Sequence, residues 1–213
     1  MIAVAAACGT TAAEAPSSTP PTQEVATTEA PAASGTATAL EPAVAKAAAG
    51  ADVIKMKIRL DGSGAIVKQS VYHGDKGQIA EPVLALAESK FPGSTPRRYE
   101  TEWYADLGEV HEVEVDTKDG KKCEVAAKAD GTELYVECHE TEAALSAAAK
   151  KAITDAFPDA KILEVESKKG PGLDEITVEL ESGGVEYYFI VKPDGSDARK
   201  LRRIPAIVEV PVP

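Results

Sequence analysis

Phe91-Pro92-Gly93-Ser94 and Phe157-Pro158-Asp159-Ala160 decide how this chain is read. Each closes a stretch whose apolar residues recur at helical spacing. These are Ile79, Val83, Leu86, Ala87 and Phe91 in the first, and Leu145, Ala149, Ala152, Ile153, Ala156 and Phe157 in the second. Such spacing gives a helix one apolar face, and the proline directly after Phe stops it. Short segments of alternating charged and apolar residues follow, the period of a strand with one buried face. Both runs end in a turn signal, Lys128-Ala129-Asp130-Gly131 and Lys192-Pro193-Asp194-Gly195.

The same order of elements therefore occurs twice. A first module covers 78–140, with a helix over 78–91 and strands near 98–104, 109–116, 121–128 and 132–138. A second covers 141–203, with Thr141 as helix N-cap and strands near 161–167, 174–181, 185–192 and 197–202. The expected fold class is α+β: two tandem helix-plus-antiparallel-meander modules, helices on one side of the sheet or sheets. Residues 40–77 precede them as a short helix and a β-hairpin. Its first strand sets Ile54, Met56, Ile58 and Leu60 on one face and Lys55, Lys57 and Arg59 on the other. Glu112, Glu114 and Asp116 line one face of a later strand, and these opposed charges read as a solvated sheet face. Residues 204–213, punctuated by Pro205, Pro211 and Pro213, read as an extended arm or an edge strand.

Toward the N-terminus the composition changes. Residues 9–39 are mostly Ala, Thr, Pro, Ser and Glu, a disordered linker with little to bury, reaching about 90 Å when stretched. Residues 1–8 look like the remnant of a bacterial lipoprotein signal, small and apolar up to Cys8, the expected lipidation site. Ala5 stands where Leu is usual and no basic segment precedes it; the alternative is a disordered tail with an isolated thiol. No run of about twenty apolar residues is present. Across 213 residues the net charge is −12, which argues against a nucleic-acid partner.

The helix, the Phe-Pro-[Gly/Asp] stop, the charged strands and the Lys-x-Asp-Gly turn together resemble the PepSY and PepSY-like superfamily. The tandem arrangement is similar to the beta-lactamase-inhibitor-protein-like architecture. The likeness covers 78–139 and 142–203. It implies an extracytoplasmic, non-enzymatic domain that binds or restrains proteases and other envelope proteins, and it transfers no site residue.

Chemistry-bearing residues are sparse. A two-residue turn at Asp130-Gly131 would set Cys123 opposite Cys138, within disulfide range, whereas a bulged three-residue turn would bring Glu137 there instead. A disulfide and two small buried thiols are therefore both open. His111, His139, Cys123 and Cys138 lack metal-ligand spacing, and adjacent Cys138 and His139 point to opposite strand faces, so no metal site is expected. No nucleophile elbow, calcium loop or phosphate-cradling loop occurs, and neither catalytic residues nor a cofactor nor a small-molecule substrate is expected. Tyr99, Trp103, Tyr104, Tyr187 and Tyr188, with Ile207, Val208 and Val210 of the arm, are the candidate partner-binding residues. The expected function is a protein-binding or scaffolding lipoprotein of the bacterial envelope, on the periplasmic face of the outer membrane or at the cell surface. Its partner would be another envelope protein, and its membrane contact the lipid on Cys8. The alternative is an inhibitor of a periplasmic or extracellular hydrolase.

Overall fold

A computed structural model describes residues 42–48, 52–207 and 209; Cys8, the segments 1–8 and 9–39, Val208 and Val210 lie outside these. Ten strands follow one another: β1 (Lys55–Leu60), β2 (Ile66–His73), β3 (Thr95–Tyr104), β4 (Gly108–Asp116), β5 (Lys122–Ala127), β6 (Glu133–Glu140), β7 (Lys161–Gly170), β8 (Leu173–Ser182), β9 (Val185–Val191) and β10 (Arg199–Arg202). All lie in one antiparallel sheet in sequence order. Among the described residues three short helices accompany them: α1 (Pro42–Ala48), α2 (Glu81–Lys90) and α3 (Ala147–Ala156).

This corrects the α+β expectation. The protein is largely β, and the runs read as separate modules are parts of one sheet. The join is made where β6 pairs with β7, Cys138 opposite Ser167 and His139 opposite Glu166, on either side of α3. Gly170 fits this seam, since a Cβ there would lie 2.0 Å from the Leu134 carbonyl oxygen. The hairpin is not separate either, because β2 pairs with β3 from Lys68–Tyr104 to His73–Tyr99.

The apolar positions of the strands form one face, and the helices cover it. Val83 and Ala87 of α2 pack on Val113, Val115 and Val125; Ala149 and Ile153 of α3 pack on Val165, Val178, Leu180 and Phe189. Each large aliphatic side chain buried in this way contributes about 1.5–3 kcal/mol. Over β2 and β3, the Ala43 amide of α1 donates to Gln69 Oε1 at 3.3 Å. The N-cap of α3 is Ser146, which accepts from the Ala149 amide, whereas Thr141 only opens the 3-10 turn Glu142–Ala144. The helix expected over 78–91 divides into the 3-10 turn Lys76–Gln78 and α2.

The opposite face is not the solvated one expected. Glu100, Glu112 and Glu114 are each 5% exposed and Glu102 is wholly buried, although no helix covers them. Curvature of the sheet buries them. The Tyr135 hydroxyl on β6 reaches Glu112 on β4 and Glu102 on β3, and lies 3.3 Å from the Tyr104 hydroxyl. Burial, then the charges of Lys57 and Arg203, lower the pKa of Lys55 on β1. Arg203 directly follows β10, which on a flat sheet would lie about 40 Å away, far beyond a screening length of about 10 Å. The sheet therefore curls until its edges approach, with the charged residues inside.

Candidate functional site

Inside the curl, period-2 alternation brings one side chain in two from each strand into a common interior. Cross-strand pairs stack Ser70 against Glu102, Tyr72 against Glu100, Glu100 against Glu112, and Glu124 against Glu137. Carboxylates so close need counter-charges. Lys68 forms a buried ion pair with Glu102, whose Oε1 also accepts from Ser70 at 3.0 Å. Arg98 pairs with Glu114 at 2.5 Å and Glu124 at 3.4 Å; Lys168 pairs with Glu137 at 2.6 Å. The Tyr72 ring lies under Lys57 and Arg98 at 4.8 and 4.7 Å, and Lys168 lies 3.9 Å from the Tyr135 ring centre.

Environment divides these carboxyls into two kinds. Burial alone would raise Glu102, but the ammonium of Lys68 and its hydrogen bond hold it down at about 2. Burial, then the charges of Glu112 and Glu102, raise Glu100 well above the ordinary range. Burial, then Glu112 and Glu137, push Glu124 to about 8. Protons thus take the place of missing cations. A carboxylate beside a protonated carboxyl resembles an acid–base pair, but the space among Arg98, Glu100, Glu112 and Glu124 has no room for a water molecule. This part of the interior is packed structure.

Two accessible regions lie outside it among the described residues. A cleft of about 290 Å³ lies between α2 and strands β3 and β4, lined by Leu84, Glu88, Ser94, Pro96, Tyr99 and Val115. The other is the β1 edge, where Ile54, Ile58 and Leu60 are 64%, 43% and 52% exposed.

The candidate aromatics fall on both faces. Tyr99, Trp103 and Tyr187 are on the helix-bearing face: Tyr99 against the α2 cluster, Trp103 with its indole N–H donating to Glu109 at 3.0 Å, Tyr187 with its ring 4.9 Å from Phe157. Tyr104 and Tyr188 are inside the curl, under Lys68 and Arg203. They make no single patch. Ile207 of the arm is 92% exposed. Cys123 and Cys138 are opposite one another and joined as a disulfide, with Cα atoms 4.1 Å apart. The position missed from sequence is Glu166 opposite His139, because pairing across α3 leaves no local signal.

Fold and interior define a class: a curled antiparallel sheet with helices outside and a charged interior. No protein-family model matches the chain, and no curated protein matches it. Among solved structures it is similar to a candidate periplasmic protein from Bacteroides eggerthii, with 15% identity over 58% of this chain and 88% of that one and a TM-score of 0.48. It is similar to a BLIP-like protein from Bacteroides fragilis, with 14% identity, 62% and 93% coverage and a TM-score of 0.45. A DUF2874 family protein from Bacteroides ovatus shares 13% identity, with 61% and 89% coverage and a TM-score of 0.47. All three TM-scores lie below 0.5, so the functional reading rests on this chain's own geometry.

Proposed function

We propose that this chain is a non-catalytic binding protein of the bacterial envelope, tethered through a lipid on Cys8. It takes an extended segment of another envelope protein onto its open sheet edge. The observation that carries this reading is β1: among the described residues it is hydrogen-bonded on one side only, and Ile54, Ile58 and Leu60 are exposed there. A long edge with exposed apolar side chains is a template for strand pairing that proteins ordinarily blunt. Lys55, Lys57 and Arg59 alternate with those apolar residues. The segment that fits is a strand alternating apolar and acidic residues, whose main chain supplies affinity and whose side chains supply specificity. The arm leaving β10, with Ile204 and Ile207 exposed, supplies a second contact at the other edge.

The test compares the full chain with an Ile58→Asp, Leu60→Asp variant and with a chain ending at residue 203. Each is used as bait on detergent-solubilised membranes, and captured proteins are quantified by mass spectrometry. An envelope protein enriched by the full chain and lost with the β1 variant supports edge capture; equal recovery removes the edge from the reading. Loss on truncation alone assigns the contact to the arm instead. Intact mass of the native protein tests the anchor, which an unmodified Cys8 would eliminate.

A further inference from the structure

One cluster inside the curl brings an imidazole between two partly exposed carboxyl groups. His139 on β6 lies opposite Glu166 on β7 in the strand register. Glu164 is two residues earlier on β7, just past a bulge, so both carboxylates project to the side on which His139 stands. His139 Nδ1 is 2.5 Å from a Glu164 oxygen, and Nε2 is 3.4 Å from a Glu166 oxygen. One donor atom from each of the three lies within 4.8 Å of the others. Their side chains are 25%, 37% and 19% exposed, unlike the sealed Glu102.

Charge pairing bears on this trio as well. On the same face Lys68 answers Glu102, Arg98 answers Glu114, Lys168 answers Glu137 and Arg203 answers Glu179. Among the described residues no Lys or Arg forms an ion pair with Glu164 or Glu166; the imidazole of His139 stands between them. Two carboxyl oxygens and one imidazole nitrogen, held on adjacent strands and partly exposed, form a three-protein-ligand set. Tetrahedral divalent transition ions take such a set, with water in the fourth position. Calcium and magnesium prefer oxygen donors throughout. We propose that His139, Glu164 and Glu166 bind one divalent transition-metal ion of the zinc type. The site stands apart from the β1 edge and holds or fails independently of partner capture.

The test uses the full chain, treated with chelator, dialysed and kept without reductant so that the cystine stays closed. Calorimetric titration with zinc chloride is expected to give one site per chain, and cobalt(II) a visible ligand-field spectrum of nitrogen and oxygen coordination. His139→Ala and Glu166→Gln should each weaken zinc by more than roughly tenfold, since even outer-shell changes cost 10–100-fold. Magnesium and calcium should not compete. Urea unfolding in chelator establishes that each variant is folded, and Glu164→Gln provides a third arm should either fail that check. Absence of a saturable zinc isotherm in the wild-type chain overturns the proposal. So does zinc affinity unchanged in a folded His139→Ala protein.

Discussion

Glu124 shows what the charged interior does to a single residue. Its carboxyl is ordinary in the unfolded chain, at 4.5, and rises to about 8 when folded, through burial and then the charges of Glu112 and Glu137. The folded state therefore binds the proton more tightly. The resulting stabilisation is fully present below about pH 4.5 and is lost as pH rises through about 8. For one proton the slope is at most about 1.4 kcal/mol per pH unit. Urea midpoints are expected to fall from pH 5 to pH 8, and Glu124→Gln, which keeps shape without a proton to lose, should flatten the fall. A wild-type profile that is flat or rising across that window would contradict the burial described. Glu102 has the opposite sign: held at about 2, it contributes fully above the ordinary carboxylate range and loses that contribution as pH falls from about 4.5 through about 2. Sequence reading placed Glu112 and Glu114 on one strand face correctly but took that face as solvated. Alternation shows which residues share a side; it does not show whether the side is wet.

At the scale of elements, the β5–β6 hairpin shows how far turn chemistry reaches. The sequence left two registers open at Lys128-Ala129-Asp130-Gly131, and the structure uses part of each. The Gly131 amide donates to Lys128 O at 2.8 Å and the Lys128 amide to Thr132 O at 3.0 Å, so the turn is the bulged one. A second register shift between Ala126 and Ala127 leaves Leu134 unpaired and restores Cys123 opposite Cys138. Such a compensating bulge has no local sequence signal, since Leu134 fits a strand as well as its neighbours do. The cystine spans a separation of 15 residues, for which loop-closure entropy predicts about 3 kcal/mol. The Cys123→Ala, Cys138→Ala protein should lose about that much in urea unfolding, and reducing the wild type should lower its midpoint similarly. Insensitivity to reductant would mean that Val113, Val125 and Val136 hold the hairpin alone. The helix caps were legible only in part. Ser146, directly before Ala147-Ala148-Ala149, was as good an N-cap signal as Thr141, and its hydroxyl also donates to the Pro193 carbonyl at 2.5 Å. That contact ties α3 to the second Asp-Gly turn across the fold.

For the whole molecule, the strands were readable and their assembly was not. Alternation of charged and apolar residues marks the strands, and from β3 to β9 the apolar side packs beneath α2 or α3. Continuity of the sheet depends on pairing across α3, and sealing of its second face depends on accumulated curvature; neither is a property of any one segment. The candidate metal trio was hidden for the same reason, since His139 meets Glu166 only once β6 and β7 adjoin. Gly170 is where the sequence carries a trace of this assembly. A methyl group there would meet Leu134 O at 2.0 Å, the Leu134 carbonyl carbon at 3.0 Å and Tyr135 Cα at 3.1 Å. All three are backbone atoms, which cannot rotate aside, so β6 and β7 must separate locally. Overpacking of this kind costs about 1–3 kcal/mol, and here it also pulls on Tyr135, whose hydroxyl bridges Glu102 and Glu112. Gly170→Ala should therefore unfold at lower urea and make the fall in stability with pH less steep, as water reaches the carboxyls. Gly172→Ala is the matched control: it has a positive φ of 74° but nothing within 4 Å, and should cost about 1 kcal/mol through backbone strain alone. If the two substitutions cost the same and leave the pH profile unchanged, the strands do not meet at Gly170 as closely as described.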